Sequence, residues 1–244
     1  MASLETALEG IAVEGFDSMT WDVLTSVVDR SGWQAAKLVV SGRLTPGLTS
    51  RGHLIARHAV AAVIHDAGDT LDHLRLFGLP GVPAAAAGDA AGHSAVDEGS
   101  QVASFMAAYA SGDAHGMARA CRPDARYAGP WPGVGFRARP GTTGYVGTDG
   151  KPMWRALFDA FTDFHLAVER VIGGQDNNSV AVEVVMGGRQ IAPWLHIGNF
   201  GRSFTIPGVI FFDIGHDGRI TSVDEVFDFD GTESQLLTLV EVCI

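Results

Sequence analysis

Cationic side chains are scarce in this chain. Seventeen lysines and arginines stand against 28 acidic residues, a formal net charge of −11. A nucleic-acid backbone would be repelled on average, and no basic cluster overrides that repulsion. The same deficit argues against binding to anionic membrane surfaces. Long apolar runs are missing as well, and none approaches the ~20 residues of a membrane-spanning helix. Residues 1–15 contain Glu5, Glu9 and Glu14 but no lysine or arginine, the wrong charge for a secretory signal or transit peptide. Cysteine is nearly absent. Cys121 and Cys243 lie far apart in no metal-ligand spacing, so a cytoplasmic protein with free thiols is expected. The glycines of residues 129–150 are not followed by Gly-Lys-Ser/Thr, which excludes a phosphate loop.

What is present is apolar material. The 244 residues are 46% hydrophobic and 18% charged, enough for one large or two small packed domains. Residues 78–96 run Gly-Leu-Pro-Gly-Val-Pro, four alanines, then Gly-Asp-Ala-Ala-Gly-His, and read as a linker. Residues 1–77 read as a small α-helical module. Met19 to Arg30 and Ser50 to Phe77 have helix-compatible spacing, with Val60, Val63, Ile64, Ala67, Leu71 and Leu74 on one stripe. His58, His65, Asp69 and Asp72 fall opposite that stripe, on a face that would meet water, so no metal site is assigned there.

Residues 97–244 read as a second domain. Glu98 to Ala110 suits an amphipathic helix with Val102, Phe105, Met106 and Tyr109 inward. A short helix to Cys121, a strand at Ala125 to Ala128 and a helix from Met153 to Phe161 follow, with Pro152 in its first turn. Strands are expected over Phe164 to Ile172, Ser179 to Met186, Ile191 to Ile197, Phe204 to Phe212 and Ile220 to Phe227. Gly187-Gly188 and Asp217-Gly218 mark turns between them. Helices followed by antiparallel strands define an α+β layout, with a strongly bent sheet around helices.

Three stretches carry a family resemblance: Phe105 to Tyr127 (FMAAYASGDAHGMARACRPDARY), Asp163 to Gly188 (DFHLAVERVIGGQDNNSVAVEVVMGG) and Gly201 to Gly231 (GRSFTIPGVIFFDIGHDGRITSVDEVFDFDG). Over about residues 98–240 the chain resembles SnoaL-like polyketide cyclases and ester cyclases, with the cone-shaped nuclear-transport-factor-2-like fold. The resemblance implies an enzyme of secondary metabolism that works without cofactors on a polyketide-like small molecule by cyclisation, isomerisation or a related rearrangement. It also implies a homodimer paired through its sheets. Because the same fold hosts unrelated reactions and non-catalytic domains, a ligand-binding or assembly domain is a further alternative, and the chemistry must be argued from the site.

Such a cone needs a carboxylate or histidine for proton transfer and a second polar group to steady an enolate. The last strand offers Asp224, Glu225 and Asp228, with Val223, Glu225 and Phe227 on one face and Asp224, Val226 and Asp228 on the other. The resemblance places acidic catalytic residues at Glu225 and Asp228; the alternative is that these acids only solvate a strand end. His196 shares a strand face with Trp194, an arrangement that suits a ring-containing substrate or a structural histidine. Tyr127, Trp131 and Tyr145 flank the glycine-rich loop as candidate pocket or lid residues. Phe211 and Asp213 end an apolar strand, where Asp213 either meets a ligand or belongs to the following turn. An epoxide-opening set of Arg202, Asp213 and Asp228 is the weaker option, since Arg202 falls in a loop.

Overall fold

Strands dominate the chain, including where the sequence pattern predicts helices. The structure is a computed structural model. It describes residue 8 and residues 16–44, 55–66, 71–77, 99–129, 144–173, 178–195, 197–227, 232 and 235–237. The expected linker at 78–96 lies outside the described residues.

The N-terminal α-helical module is corrected. Strands β1 (Phe16–Val28), β2 (Trp33–Leu44), β3 (Ile55–Asp66) and β4 (Leu71–Phe77) form an antiparallel meander in the order β1-β2-β3-β4. Asp29 closes its first hairpin, accepting from the backbone N–H groups of Ser31 (2.8 Å) and Trp33 (3.0 Å). The helical stripe was misleading for a physical reason. Val60, Ala61, Ala62, Val63 and Ile64 are all at most 2% exposed, so β3 is buried on both faces and shows no period-2 alternation. With His58 and His65 on strand β3, they share no helical stripe, and Asp69 lies outside the described residues. His65 instead lies against Trp33, ring centroids 4.5 Å apart.

The second unit follows the expected order more closely. It comprises α1 (Gln101–Ala110), α2 (Ala114–Ala120), β5 (Cys121–Ala128), the short β6 (Gly144–Tyr145), a single wide helical turn at Val146–Gly150, α3 (Lys151–Ala160) and strands β7 (Phe161–Gly173), β8 (Ser179–Gln190), β9 (Ser203–Ile214) and β10 (Ile220–Phe227). Local chemistry sets the helix starts. The Ser100 and Asp113 side chains cap α1 and α2 by accepting from Ala103 N–H (3.1 Å) and Gly116 N–H (2.8 Å). Pro152 sits in the first turn of α3.

The six strands run β6-β5-β10-β9-β8-β7. The sheet is mixed rather than wholly antiparallel, because β5 pairs parallel with β10. Two further expectations change. Gly187-Gly188 is no turn: β8 continues through both glycines to Gln190. A Cβ on Gly187 would sit 2.7 Å from both the His165 ring and the Phe204 carbonyl oxygen, so close approach explains the glycine. Residues 191–197 form no strand, only an isolated bridge between Trp194 and Ile197, with Leu195 at φ 55°. The Asp217-Gly218 turn forms as expected, with Gly218 at φ 74°.

Alternation along the strands divides the core in two. One face of the six-stranded sheet, with Val182, Val184, Ile206, Ile210, Phe212, Val223 and Phe227, closes on the three helices through Phe105, Tyr109, Trp154 and Leu157. The opposite face, with Ile172, Ala181, Val209, Phe211 and Val226, packs on Val27, Trp33, Ala35, Ala61, Val63 and Phe77 of the N-terminal sheet. At roughly 1.5–3 kcal/mol for each large apolar side chain fully buried, this second layer is a major part of the stability.

Candidate active site

Strand β10 decides which acid faces the cone. Val223 and Phe227 belong to the helix-covered core, so Glu225 between them points the same way; it is 4% exposed. Its two oxygens are held separately: Tyr127 Oη donates to Oε2 (2.7 Å) and Trp154 Nε1 donates to Oε1 (3.1 Å). Tyr127 comes from β5, the parallel neighbour of β10, and Trp154 from the buried stripe of α3. The two rings meet edge to face at 5.3 Å, and Phe105 packs edge-on against Trp154 at 5.4 Å. Tyr109 completes the surround. Burial raises its phenol well above the usual value, and the Glu225 charge and a hydrogen bond to it add to the rise. Tyr109 is therefore a neutral hydrogen-bond donor at physiological pH, never a base.

This arrangement puts a carboxylate among buried aromatic rings, with Tyr127 and Trp154 donating to it. It can take a proton from carbon, and the phenols can donate to an oxygen that gains charge as it does so.

The other sequence-predicted residues fall in different places. Asp224, on the opposite face of β10, ion-pairs with Lys37 of β2 (2.8 Å) and lies between the sheets, not in the cone. Phe211 and Asp213 face the same side as Asp224, and Phe211 packs in the intersheet core. Asp213, Asp224, Phe211, Lys37 and Arg126 together line a cavity of about 140 Å³ at the junction of the sheets. Burial raises the Asp213 carboxyl above the ordinary range, and the neighbouring Asp224 charge adds to it. Of the Arg202–Asp213–Asp228 set, Arg202 precedes β9 and Asp213 stands near that strand's other end. Trp194 is 1% exposed in the helix-covered core, edge-on to Phe161 at 5.3 Å. Tyr145 is 57% exposed. Asp228, His196 and Trp131 lie outside the described residues.

Trp154 and Tyr109 were not singled out as site residues. The usable signal was that both lie on apolar helix stripes, and a buried indole N–H or phenol O–H needs an acceptor. The Cys121 thiol is pushed up to about 12 by burial, which rules it out as a neutral-pH nucleophile. Among the described residues, no group of His, Cys, Asp and Glu is placed to hold a metal, and no helix is long and apolar enough to cross a membrane.

Comparison with known proteins follows the same half of the chain. Residues 102–223 match the model of the SnoaL-like domain. No curated protein matches the chain. Among solved structures, TsrD from Streptomyces laurentii is 22% identical, covering 57% of this chain and 93% of its own, with a TM-score of 0.46. A candidate SnoaL-like polyketide cyclase from Jannaschia sp. CCS1 is 16% identical over 57% of this chain and 93% of its own, TM-score 0.47. AusH from Aspergillus nidulans is 15% identical over 51% and 81%, TM-score 0.40.

Proposed function

The chain belongs to the SnoaL-like domain family, and on that premise we propose that it is a cofactor-independent enzyme in which Glu225 moves a proton on an apolar, ring-containing small molecule. The observation that carries this reading is the placement of Glu225. It is the one buried carboxylate on the helix-covered face among the described residues, held by Tyr127 and Trp154. The reaction class is an aldol-type cyclisation, an isomerisation or a related rearrangement. Each requires a proton to leave carbon beside a carbonyl and an enolate oxygen to be stabilised.

The roles follow from the chemistry of the side chains. Glu225 accepts the proton. Trp154 is a positioning residue that fixes one carboxylate oxygen, leaving the orientation of the other to Tyr127. Tyr127, whose O–H already faces the carboxylate, donates to the substrate oxygen once the proton has moved. The aromatic walls exclude water and strengthen these interactions. Trp194, edge-on to Phe161, remains a candidate for substrate contact; His196 remains a candidate too, and Asp228 a candidate second acid.

Deuterium wash-in from D₂O at the carbon beside the carbonyl of a cyclic ketone probe reads the proposed step directly. The wild-type protein is expected to accelerate exchange. Glu225→Gln should lose roughly 10²–10⁴-fold with an unchanged circular dichroism spectrum, and Tyr127→Phe should lose less. Equal exchange by wild type and Glu225→Gln would sink the assignment.

A further inference from the structure

The two sheets repeat one another. Strands β1, β2, β3 and β4 have 13, 12, 12 and 7 residues, and β7, β8, β9 and β10 have 13, 12, 12 and 8, in the same antiparallel meander. The registers superpose. Val27 pairs with Ala35 as Ile172 does with Ala181; Ala35 with Val63 as Ala181 with Phe211; Val63 with Arg75 as Phe211 with Asp224. Besides irregularities near the starts of β1 and β7, which differ in place, two recur at matching positions. One falls between Val23 and Thr25 and again between Val168 and Arg170; the other falls between His65 and Asp66 and again between the paired positions Asp213 and Ile214, opposite Ser222 and Ile220. On this alignment Phe16/Phe161, Val23/Val168, Ala35/Ala181, Val39/Val185, Gly42/Gly188 and Arg43/Arg189 are identical. Bulges are specific structural features, so their recurrence at matched positions argues for one repeated unit.

The interface between the sheets has the same symmetry. Val27, Ala35, Ala61, Val63 and Phe77 meet Ile172, Ala181, Val209, Phe211 and Val226, their own counterparts in that order. Three ion pairs cross it, Lys37–Asp224 (2.8 Å), Arg75–Glu183 (2.6 Å) and Arg75–Glu169 (2.8 Å), and the first two are related by the repeat. Lys37 is the counterpart of Glu183, and Arg75 of Asp224. Each of these two is thus the other rotated by a pseudo-twofold axis, with the sign of charge exchanged. The same contact made twice is the mark of an isologous, dimer-like interface.

We infer that residues 16–77 repeat strands β7–β10 of the catalytic unit, without its acid, and serve as a built-in partner for the outer face of the cone sheet. Leu76 stands where Glu225 stands in the other copy, since Leu76 pairs with Ala62 as Glu225 pairs with Ile210. The charge split makes the pairing selective. Two cone sheets docked by the same operation would set Glu183 against Asp224 twice, with Glu183 2% exposed. Like charges set face to face oppose such a pairing, while the N-terminal copy puts a cation against each acid, Lys37 on Asp224 and Arg75 on Glu183, the latter also held by Arg170 of its own sheet (3.3 Å). This face is therefore closed to a second copy of the chain, whatever other surface the protein uses to associate.

Two measurements on the full chain test this. A 1:1 mixture of ¹⁵N-labelled and unlabelled protein, treated with a zero-length carbodiimide crosslinker, should give a Lys37–Asp224 link in which both peptides carry the same label. A link that is absent, or that joins heavy to light peptides, would overturn pairing within one chain. In the second, Lys37→Glu should lower the thermal midpoint by roughly 5–10 °C. Adding Asp224→Lys should restore most of it. A single variant as stable as wild type, or a double variant no better than the single, would refute the role of the charge split.

Discussion

Asp213 and Glu225 show how far one residue's neighbours decide its chemistry. Both are acids on neighbouring strands of one sheet, and alternation sends them to opposite faces. Glu225 meets two donors in the cone, while Asp213 meets burial and the Asp224 charge at the sheet junction, and its carboxyl is raised. The sign of the resulting pH dependence is fixed. A carboxyl with a raised folded-state pKa favours the folded protein below its unfolded value of about 3.9, and that contribution is lost as pH rises through the folded value. At neutral pH the charge on Asp213 is therefore a burden. Asp213→Asn should raise the thermal midpoint at pH 7, and the gain should shrink as pH falls toward 4; no gain at pH 7 would show the charge to be well solvated. The face division on β10 was readable in advance, because Val223, Glu225 and Phe227 alternate with Asp224 and Val226. What could not be read was that the other face is covered too. An acid facing a second sheet looks, in sequence, like an acid facing a pocket, and this is why Phe211, Asp213 and Asp224 were drawn into the site.

At the scale of elements, legibility followed the number of buried faces. Strands β7 and β10 were visible because polar residues interrupt them, and α1 was visible because one stripe is apolar. Strands β2 and β3 are buried on both sides, and a run without alternation reads as helix as readily as strand. Strand β9 was recognisable from its apolar run to Phe212, although Pro207 and Gly208 interrupt it. Gly208 also has a packing reason. It lies on the cone side under the ring of Phe227, and a Cβ there would overlap that ring. Gly208→Ala should therefore cost about 1–3 kcal/mol by overpacking, read as a lower denaturation midpoint. Gly147, whose Cβ would meet no atom within 4 Å, is the control, and Gly147→Ala should stay close to wild type. Equal stability in the two variants would mean that Phe227 moves aside at no cost, and that the packing behind Glu225 is softer than the structure implies.

For the whole molecule, the consequence of stacking one sheet on the other is a shared core. The N-terminal sheet has too little apolar surface of its own to be independent: its second face is served by Leu8 and a small cluster that includes Leu38, Val40 and Ile64. Its stability must come from the intersheet layer, and Trp33 is the largest side chain there. Trp33 is 6% exposed, with the Arg170 guanidinium carbon 3.3 Å from its ring centroid and the His65 ring on it as well. One wall of the cone thus rests on the same side chain that anchors the appended sheet. Wild-type protein should unfold in a single transition, with far-UV circular dichroism and tryptophan fluorescence coincident. Trp33→Ala removes the ring that both sheets share and should cost about 3–5 kcal/mol, a drop of roughly 6–20 °C for a chain of this size. The loss should be smaller for Trp33→Phe, which keeps an aromatic face under Arg170. Because Glu225 is positioned by a strand whose outer face is part of this layer, exchange activity in Trp33→Ala should fall at temperatures where the N-terminal sheet has come loose, even while the helices remain. Two resolved transitions in the wild type, or a Trp33→Ala midpoint equal to it, would show instead that the sheets fold separately and that the cone needs no cover.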